Sequence, residues 1–210
     1  RLAAGLRRPG TGVLVCMGVG TVTYTASLSG WYVYEDYVWP QWETWQQGVA
    51  ATVQMPARSL AVWSRFLTES AWGPHPQALR AVSLVWHLLN SVLLWCLARR
   101  VLSTSGALLA MGVFLLLPIQ TESVAYISSQ PELIAATGVL LALLAVSAGR
   151  LWLAWLCAMG AMAGKELAAP ALLLVPLWAW WIGQRWSRRA IVGWALSVCG
   201  VGLIGAWLIG

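Results

Sequence analysis

Seven long runs of the sequence contain no charged residue, and this feature constrains the fold more than any other. The runs cover residues 11–30, 81–98, 101–121, 133–149, 151–164, 167–184 and 191–210. A bilayer core of about 30 Å is crossed by roughly 20 residues of α-helix, so runs of this length predict transmembrane helices. The run 151–164 is the shortest, and we expect its helix to be tilted or to end below the membrane surface.

The composition excludes three other classes of protein. Hydrophobic residues make up 60% of the chain and charged residues 10%, whereas soluble domains carry about a quarter charged residues. A nucleic-acid binder would gather its basic residues on one soluble face, but here they form short clusters between uncharged runs. The four cysteines lie inside apolar stretches without paired or metal-ligand spacing, which argues against a secreted disulfide scaffold.

We therefore expect an all-α integral membrane protein, with residues 1–210 forming a single transmembrane domain of about seven helices. The chain begins without Met and ends within an apolar run, so we also expect a fragment, or the ordered part of something longer. The first run could instead be a secretory signal, because Arg7 and Arg8 precede it and Thr25-Ala26-Ser27 follows. Its length favours a membrane span over a signal core.

The charges predict the orientation of the helices. With the N-terminus inside, nine of the 13 basic residues lie on the cytoplasmic side. The nine are Arg1, Arg7, Arg8, Arg99, Arg100, Arg150, Arg185, Arg188 and Arg189. All seven acidic residues fall on the other side, together with Arg58, Arg65, Arg80 and Lys165. The positive-inside rule therefore predicts a cytoplasmic N-terminus and acidic loops on the periplasmic or outer face, in a bacterial inner membrane.

One connection is long, residues 31–80, and we interpret it as an outer loop lying on the membrane surface. Its segment 58–71 predicts an amphipathic interfacial helix. The apolar positions at helical spacing are Leu60, Trp63, Phe66 and Leu67. The polar positions against them are Arg58, Ser64, Arg65 and Glu69.

The outer loop opens with two adjacent carboxylates, Glu35 and Asp36, among aromatic residues. A carboxylate at a low-dielectric boundary can have a raised pKa and act as a general base toward a hydroxyl group. Adjacent residues do not face the same way, so one would act as the base and the other would orient a group or bind a metal. The alternative interpretation is the acidic start of a solvated loop.

Lys165 and Glu122 are further candidates on the outer side. Lys165 could hold the phosphate of a lipid carrier as a point charge at the depth of the headgroups. The alternative is a pair with Glu166 that neutralises itself, or snorkels, at a helix end. Glu122 could line the same cavity, or only face water.

The second run and the residues before it carry a polar stripe. Arg80, Ser83 and His87 share one helix face, with Asn90 near it. Polar groups at this depth usually face protein or a water-filled cavity. A hydrogen bond between helices is the main expectation for His87 and Asn90. Ligation of a tetrapyrrole by His87 is the alternative, although no residue spacing indicates it.

The chain contains 16 tryptophans. Four of them, Trp178, Trp180, Trp181 and Trp186, gather at the inner end of the sixth run, as expected for an aromatic belt at a membrane interface. The tryptophans of the outer loop are also compatible with a surface for sugar rings or flat pigments, because an indole offers a broad apolar face and one donor.

Four sequence elements, in order, resemble the N-terminal half of a GT-C class glycosyltransferase that uses polyprenyl phosphate. The family has a carboxylate pair after span one, as at 35–36, and an Arg-Pro-Leu-like element, approximated at 58–60. A family stretch like His-Pro-Ile-His-Thr-Glu-Ala-Val corresponds to 117–124, and its Gly-Arg before an acidic residue to 129–132. Its Gly-Lys-Glu matches 164–166. The closest resemblance is to the membrane part of the transmembrane-and-tetratricopeptide protein O-mannosyltransferases.

The resemblance implies a GT-C-like fold and transfer of a sugar from a polyprenyl-phosphate donor to an acceptor hydroxyl on the outer face. Asp36 would be the base, with Glu35 beside it, and Lys165 would lie near the donor phosphate. We group Glu122, Arg80 and His87 with Lys165 as candidates for binding the lipid phosphate. No metal ligand is assigned, although a divalent metal could take part. The implied partners are membrane lipid and other membrane subunits, with no nucleic acid.

The sequence also departs from the family pattern. Two histidines of the family's later stretch are replaced by Leu117 and Gln120, and its Gly-Arg is Ser129-Gln130. The His-x-x-Asn that opens span two is Arg80 and Ser83. Loss of polar groups around a donor site supports an alternative function. In that alternative the chain is a catalytically retired homologue that serves as a structural subunit of a larger membrane complex, around lipids or pigments.

Overall fold

The computed structural model describes residues 9–32, 36 and 44–209, with side chains described as far as residue 201. Within these residues the chain is all-α and contains no β-strand. The helices are α1 Pro9–Leu28, α2 Trp45–Gln54, α3 Ser59–Trp72, α4 Pro76–Ala98, α5 Thr104–Leu116, α6 Gln120–Ala125, α7 Gln130–Ser147, α8 Leu151–Gly164, α9 Ala171–Trp181 and α10 Arg188–Ile209. Short 3-10 turns precede α3, α7 and α9.

Three helical segments are long and apolar enough to cross a membrane. They are Gly10–Leu28 in α1, Pro76–Ala98, which is α4, and Ile127–Ser147, which is α7 with the turn before it. The segments Thr104–Leu116, Leu151–Gly164 and Glu166–Trp181 are apolar but shorter. The expected all-α membrane class is therefore supported, whereas the count of about seven spans stays a prediction.

Proline and glycine explain where helices end earlier than the uncharged runs predict. The run 101–121 is not one helix, because α5 ends at Leu116 and α6 starts at Gln120. Leu117 is extended, as expected for the residue before Pro118. The run 167–184 contains only 11 residues of α-helix in α9, and Gly183 follows with a positive φ of 74° that favours glycine.

Helices α7 and α8 form an antiparallel pair that packs through small residues. A Cβ atom added at Gly138 would lie 2.7 Å from the Cα of Ala161, so the two backbones approach closely there. Gly164 makes a second close approach, with 2.9 Å between its added Cβ and the backbone nitrogen of Ala135. Small residues that allow such contact are the usual basis of helix association in a membrane, where apolar burial drives little.

The polar stripe on α4 faces protein, as predicted. Ser83, His87 and Asn90 are fully buried. The Asn90 side chain donates to the carbonyl oxygen of Leu133 at 2.9 Å, and its Oδ1 accepts from Thr137 at 2.6 Å. His87 Nε2 lies 3.2 Å from the carbonyl oxygen of Leu115. The expected hydrogen bonds between helices are therefore confirmed for both side chains.

Helix α3 turns its charged residues inward. Arg65 and Glu69 are buried, whereas Leu60 and Leu67 are exposed. On this inward side, Arg65 lines a small pocket with Ile127, Gln130 and Pro131, in the α6–α7 connection and the start of α7. The outward side is apolar, which is the arrangement expected of a helix that contacts lipid.

The two ends of the helical bundle differ in charge. We call the end where α1 and α8 finish and α4, α7 and α9 begin the acidic end; it carries Asp36, Glu69, Glu132 and Glu166. The opposite end, which we call the basic end, carries six arginines in the described part of the chain. These are Arg99, Arg100, Arg150, Arg185, Arg188 and Arg189.

The close approach of α7 and α8 predicts that Gly138→Ala is destabilising. The added methyl group would press on the backbone of α8, and overpacking of this kind costs about 1–3 kcal/mol. Gly160→Ala in α8 is the matched control, because its Cβ would meet no atom within 4 Å. Thermal unfolding in detergent should show a lower Tm for Gly138→Ala only. Equal Tm values for the two variants would contradict this packing.

Candidate functional site

Asp36 is buried at the acidic end, with 1% of its surface exposed. Its Oδ1 accepts two hydrogen bonds from one residue, Ser128, at 2.9 Å from the backbone nitrogen and 2.9 Å from Oγ. Ser128 belongs to the turn Ile127–Ser129, which connects α6 to α7. This turn therefore holds the carboxylate that the sequence predicts as a base. Glu35, its predicted companion, lies outside the described residues.

A buried ion pair lies near Asp36. Arg65 Nε contacts Glu69 Oε1 at 2.8 Å, one turn apart on α3, and both side chains are almost completely buried. Burial of this kind is tolerated when each ion has a partner. The Tyr32 hydroxyl donates to the carbonyl oxygen of Pro74 at 2.8 Å.

Tyr32 shows that these charges share one environment. Burial is the largest cause that raises the pKa of its phenol above the usual value, and the charges of Glu69 and Asp36 raise it further. The charges of Arg65 and Arg80 act in the opposite direction. Two carboxylates and two guanidinium groups therefore act on one phenol, which keeps its proton at neutral pH.

Arg80 caps the end of α1. Its guanidinium donates to the backbone carbonyl oxygens of Gly30 and Trp31, and its Nε donates to that of Ala125 at 2.7 Å. A cation is favourable beside the C-terminal carbonyl groups of a helix. Gly30 leaves room for it, because a Cβ there would lie 2.9 Å from Arg80 Nη1. In this structure the N–H groups of Arg80, which we assigned to a lipid phosphate, donate to backbone carbonyl oxygens.

Lys165 is paired with an acid from a neighbouring helix. Its Nζ contacts Glu132 in the first turn of α7, although the sequence favoured Glu166 as its alternative partner. Glu166 instead contacts Arg58 at 3.3 Å. Burial raises the pKa of Glu166, but a backbone hydrogen bond and the Arg58 guanidinium outweigh it and leave the pKa below its ordinary value. Two ion pairs thus join α3, α7 and the α8–α9 turn.

The short segment 127–132 joins the two main candidates. Ser128 contacts Asp36, and Glu132 contacts Lys165 four residues later. Gln130, between them, is buried and its Nε2 donates to Ser83 Oγ at 3.4 Å. The segment therefore connects the predicted base, the predicted phosphate ligand and the polar stripe of α4.

The other two candidates are less central. Glu122 is exposed on α6, next to the connection that Arg80 contacts through Ala125. His87 lies deeper, between the rings of Tyr24 and Phe114, at centroid distances of 5.4 and 5.3 Å. Its position in the helix core fits the structural role and is remote from the acidic end. The phosphate assignments of Glu122, Arg80 and His87 stay predictions.

Sequence reasoning overlooked Ser128 and the pairing role of Glu132. The only available signal was a short polar stretch, 128–132, which contains Pro131 and leads into the apolar helix α7. In the part of the chain that the structure describes, no three His, Cys, Asp or Glu side chains form a group able to hold a metal ion. Asp36 with its serine donors is therefore a polar site rather than a complete ligand set.

The role of Arg80 as a cap of α1 predicts that Arg80→Lys is destabilising. A lysine has a single ammonium group and cannot serve three carbonyl groups in the planar arrangement of a guanidinium. A buried acceptor left unsatisfied costs about 1–3 kcal/mol. Arg99→Lys, at the exposed basic end, is the control. Chemical unfolding in detergent should separate the two variants, and equal stabilities would contradict the capping role.

Comparisons of the chain with protein-family models, with curated proteins and with solved structures found no match. Its function must therefore be inferred from the residues and their geometry.

Proposed function

We propose that the chain is a GT-C-like membrane glycosyltransferase domain of about seven spans, with its acidic end on the outer face. It transfers a sugar from a polyprenyl-phosphate donor to an acceptor hydroxyl group. The segment 127–132 carries the main support for this function. It contacts Asp36 through Ser128 and Lys165 through Glu132, so one short segment pairs with both groups at the same end of the bundle.

The two groups have complementary tasks in such a reaction. The Asp36 carboxylate takes the proton of the acceptor hydroxyl as its oxygen attacks the anomeric carbon of the sugar. The bond from that carbon to the phosphate oxygen breaks, and the attack from the opposite side inverts the configuration. The leaving group is a polyprenyl phosphate, whose negative charge Lys165 stabilises.

The sequence neighbours of Lys165 also support a lipid-linked donor. Lys165 follows the end of the apolar helix α8 and precedes the apolar segment Glu166–Trp181. A donor with an isoprenoid tail would keep the tail beside these helices and its phosphate at their polar end. On donor binding, Lys165 exchanges its Glu132 partner for the phosphate.

Replacement of the base tests this function. Asp36→Asn keeps an Oδ1 that can accept both Ser128 hydrogen bonds, so the fold should persist while proton acceptance is lost. We expect transfer from a polyprenyl-phosphate sugar to fall about 10²–10⁴-fold, the usual contribution of a general base. The control is Ser70→Ala, at an exposed position of α3 that belongs to neither the candidate site nor the family-like elements, and it should keep its activity. Undiminished transfer by Asp36→Asn would remove the base assignment.

A structural subunit of a larger membrane complex is the second candidate. Two observations favour it: Asp36 and Lys165 already have protein partners, and the tryptophans Trp152 and Trp155 on α8 are exposed. Exposed indoles at membrane depth can pack against another chain or a pigment.

The mass of the particle purified in mild detergent distinguishes the transferase from the structural subunit. A structural subunit should show no transfer activity and should purify in mild detergent as part of a complex of fixed stoichiometry. The double variant Trp152→Ala/Trp155→Ala should then dissociate from that complex, because truncation of an aromatic hot-spot residue at an interface costs about 2 kcal/mol or more of binding free energy. An active, monodisperse monomer would contradict this candidate.

A further inference from the structure

The Asp36 carboxylate is buried too deeply for a substrate to touch it directly. Only 1% of the surface of Asp36 is exposed. A general base must lie within hydrogen-bond reach of the proton that it accepts, or reach that proton through one intervening molecule such as water. In the arrangement that the structure shows, a second group must therefore link the buried carboxylate to a hydroxyl group that arrives from outside.

Ser128 is a polar neighbour of this carboxylate and has the exposure that Asp36 lacks. Its Oγ and its backbone nitrogen each lie 2.9 Å from Asp36 Oδ1. Ser128 is half-buried, whereas Ile127 and Ser129 on either side of it in the same turn are buried. Ser128 is thus the residue of this turn that remains accessible from outside while it contacts the carboxylate.

A serine hydroxyl can pass a proton on because it donates and accepts hydrogen bonds at the same time. Ser128 Oγ donates its one hydrogen to Asp36, and the lone pairs of a hydroxyl oxygen can accept from a second hydroxyl group. One proton can therefore enter Oγ as another leaves it, so the serine carries no net charge. The backbone N–H of Ser128 donates to the same carboxylate oxygen, which holds Asp36 in place independently of the hydroxyl.

We propose that Ser128 is a catalytic residue that relays the acceptor proton to Asp36, an inference that rests on the transferase function proposed above. As the acceptor oxygen bonds to the anomeric carbon, its proton moves to Ser128 Oγ and the Ser128 proton moves to Asp36 Oδ1. The bond from the anomeric carbon to the phosphate oxygen breaks, and the phosphate leaves with the electron pair. Ser128 ends the step as a neutral hydroxyl group, and Asp36 returns the proton to water by the same route.

Ser128→Ala tests the relay, because it removes the hydroxyl group but keeps the backbone N–H that holds Asp36. We expect single-turnover transfer from a polyprenyl-phosphate sugar to fall about 10²-fold, the lower end of the usual contribution of acid–base catalysis. Ser128→Thr retains a hydroxyl group and should keep most of the activity. Ser70→Ala, the same substitution at an exposed position of α3, is the matched control and should not change the rate. Asp36→Asn/Ser128→Ala should be no slower than Asp36→Asn, since the two residues act as a unit.

A solvent-isotope measurement distinguishes a relay from a serine that only holds Asp36. A relay moves two protons in one step, so the single-turnover rate of the unmodified protein should follow a curve as deuterium replaces hydrogen in the water. Transfer of one proton directly to Asp36 gives a straight line. The measurement needs no substitution, so it stays decisive even where Ser128→Ala does not fold, which its Tm in detergent would reveal.

The results separate failure of the relay from failure of the proposed function. Absence of transfer by the unmodified protein would overturn both. Loss of transfer in Asp36→Asn together with undiminished transfer in a folded Ser128→Ala would overturn the relay alone. A straight-line isotope dependence in the unmodified protein would also overturn it and leave Asp36 as the direct base.

Discussion

The cost of placing an ion in hydrocarbon determines how this chain is arranged. A charged side chain at the centre of a bilayer costs at least about 2.5–3.5 kcal/mol, so ions must lie at helix ends or have partners. The described ions obey this constraint. Arginines gather without ion-pair partners at the basic end, whereas buried Arg65 and Arg80 at the acidic end are held by a carboxylate and by backbone carbonyl groups.

The polar acidic end depends on tight packing below it. Gly138 and Gly164 bring α7 close to α8, and the Asn90 and His87 hydrogen bonds attach α4 to α7 and α5. The segment 127–132 continues directly into α7, so its contacts with Asp36 and Lys165 are carried by the best-packed part of the bundle. The packing of α7 therefore holds this segment in place.

The ion pair between Lys165 and Glu132 can be interpreted in terms of either candidate function. Lys165 is neutralised by Glu132, and a donor phosphate must compete with that carboxylate. The transferase function requires this exchange, in which a phosphate that differs from Glu132 in charge and geometry takes the place of the carboxylate. A structural subunit needs no exchange, and its ion pairs simply hold the helices together.

The sequence alone determined where helices form and which residues are polar within them. Uncharged runs locate the helices, and the run 151–164 coincides with α8. Helical spacing also identified the buried stripe of Arg80, Ser83, His87 and Asn90, because the polar face of an otherwise apolar helix usually faces protein or a water-filled cavity. The breaks at Pro118 and Gly183 follow from local rules as well, but the runs 101–121 and 167–184 were each expected to form one helix.

Only the tertiary structure decided which polar groups meet. Periodicity assigns a residue to a face of its helix but does not identify the neighbour of that face. The sequence offered Glu166 as the alternative partner of Lys165 and predicted no partner for Arg65, whereas Glu132 pairs with Lys165, and Arg65 is buried against Glu69. Ser128 became the partner of Asp36 in the same way, across 92 residues of chain. Such contacts depend on the packing of several helices at once, which no local pattern encodes.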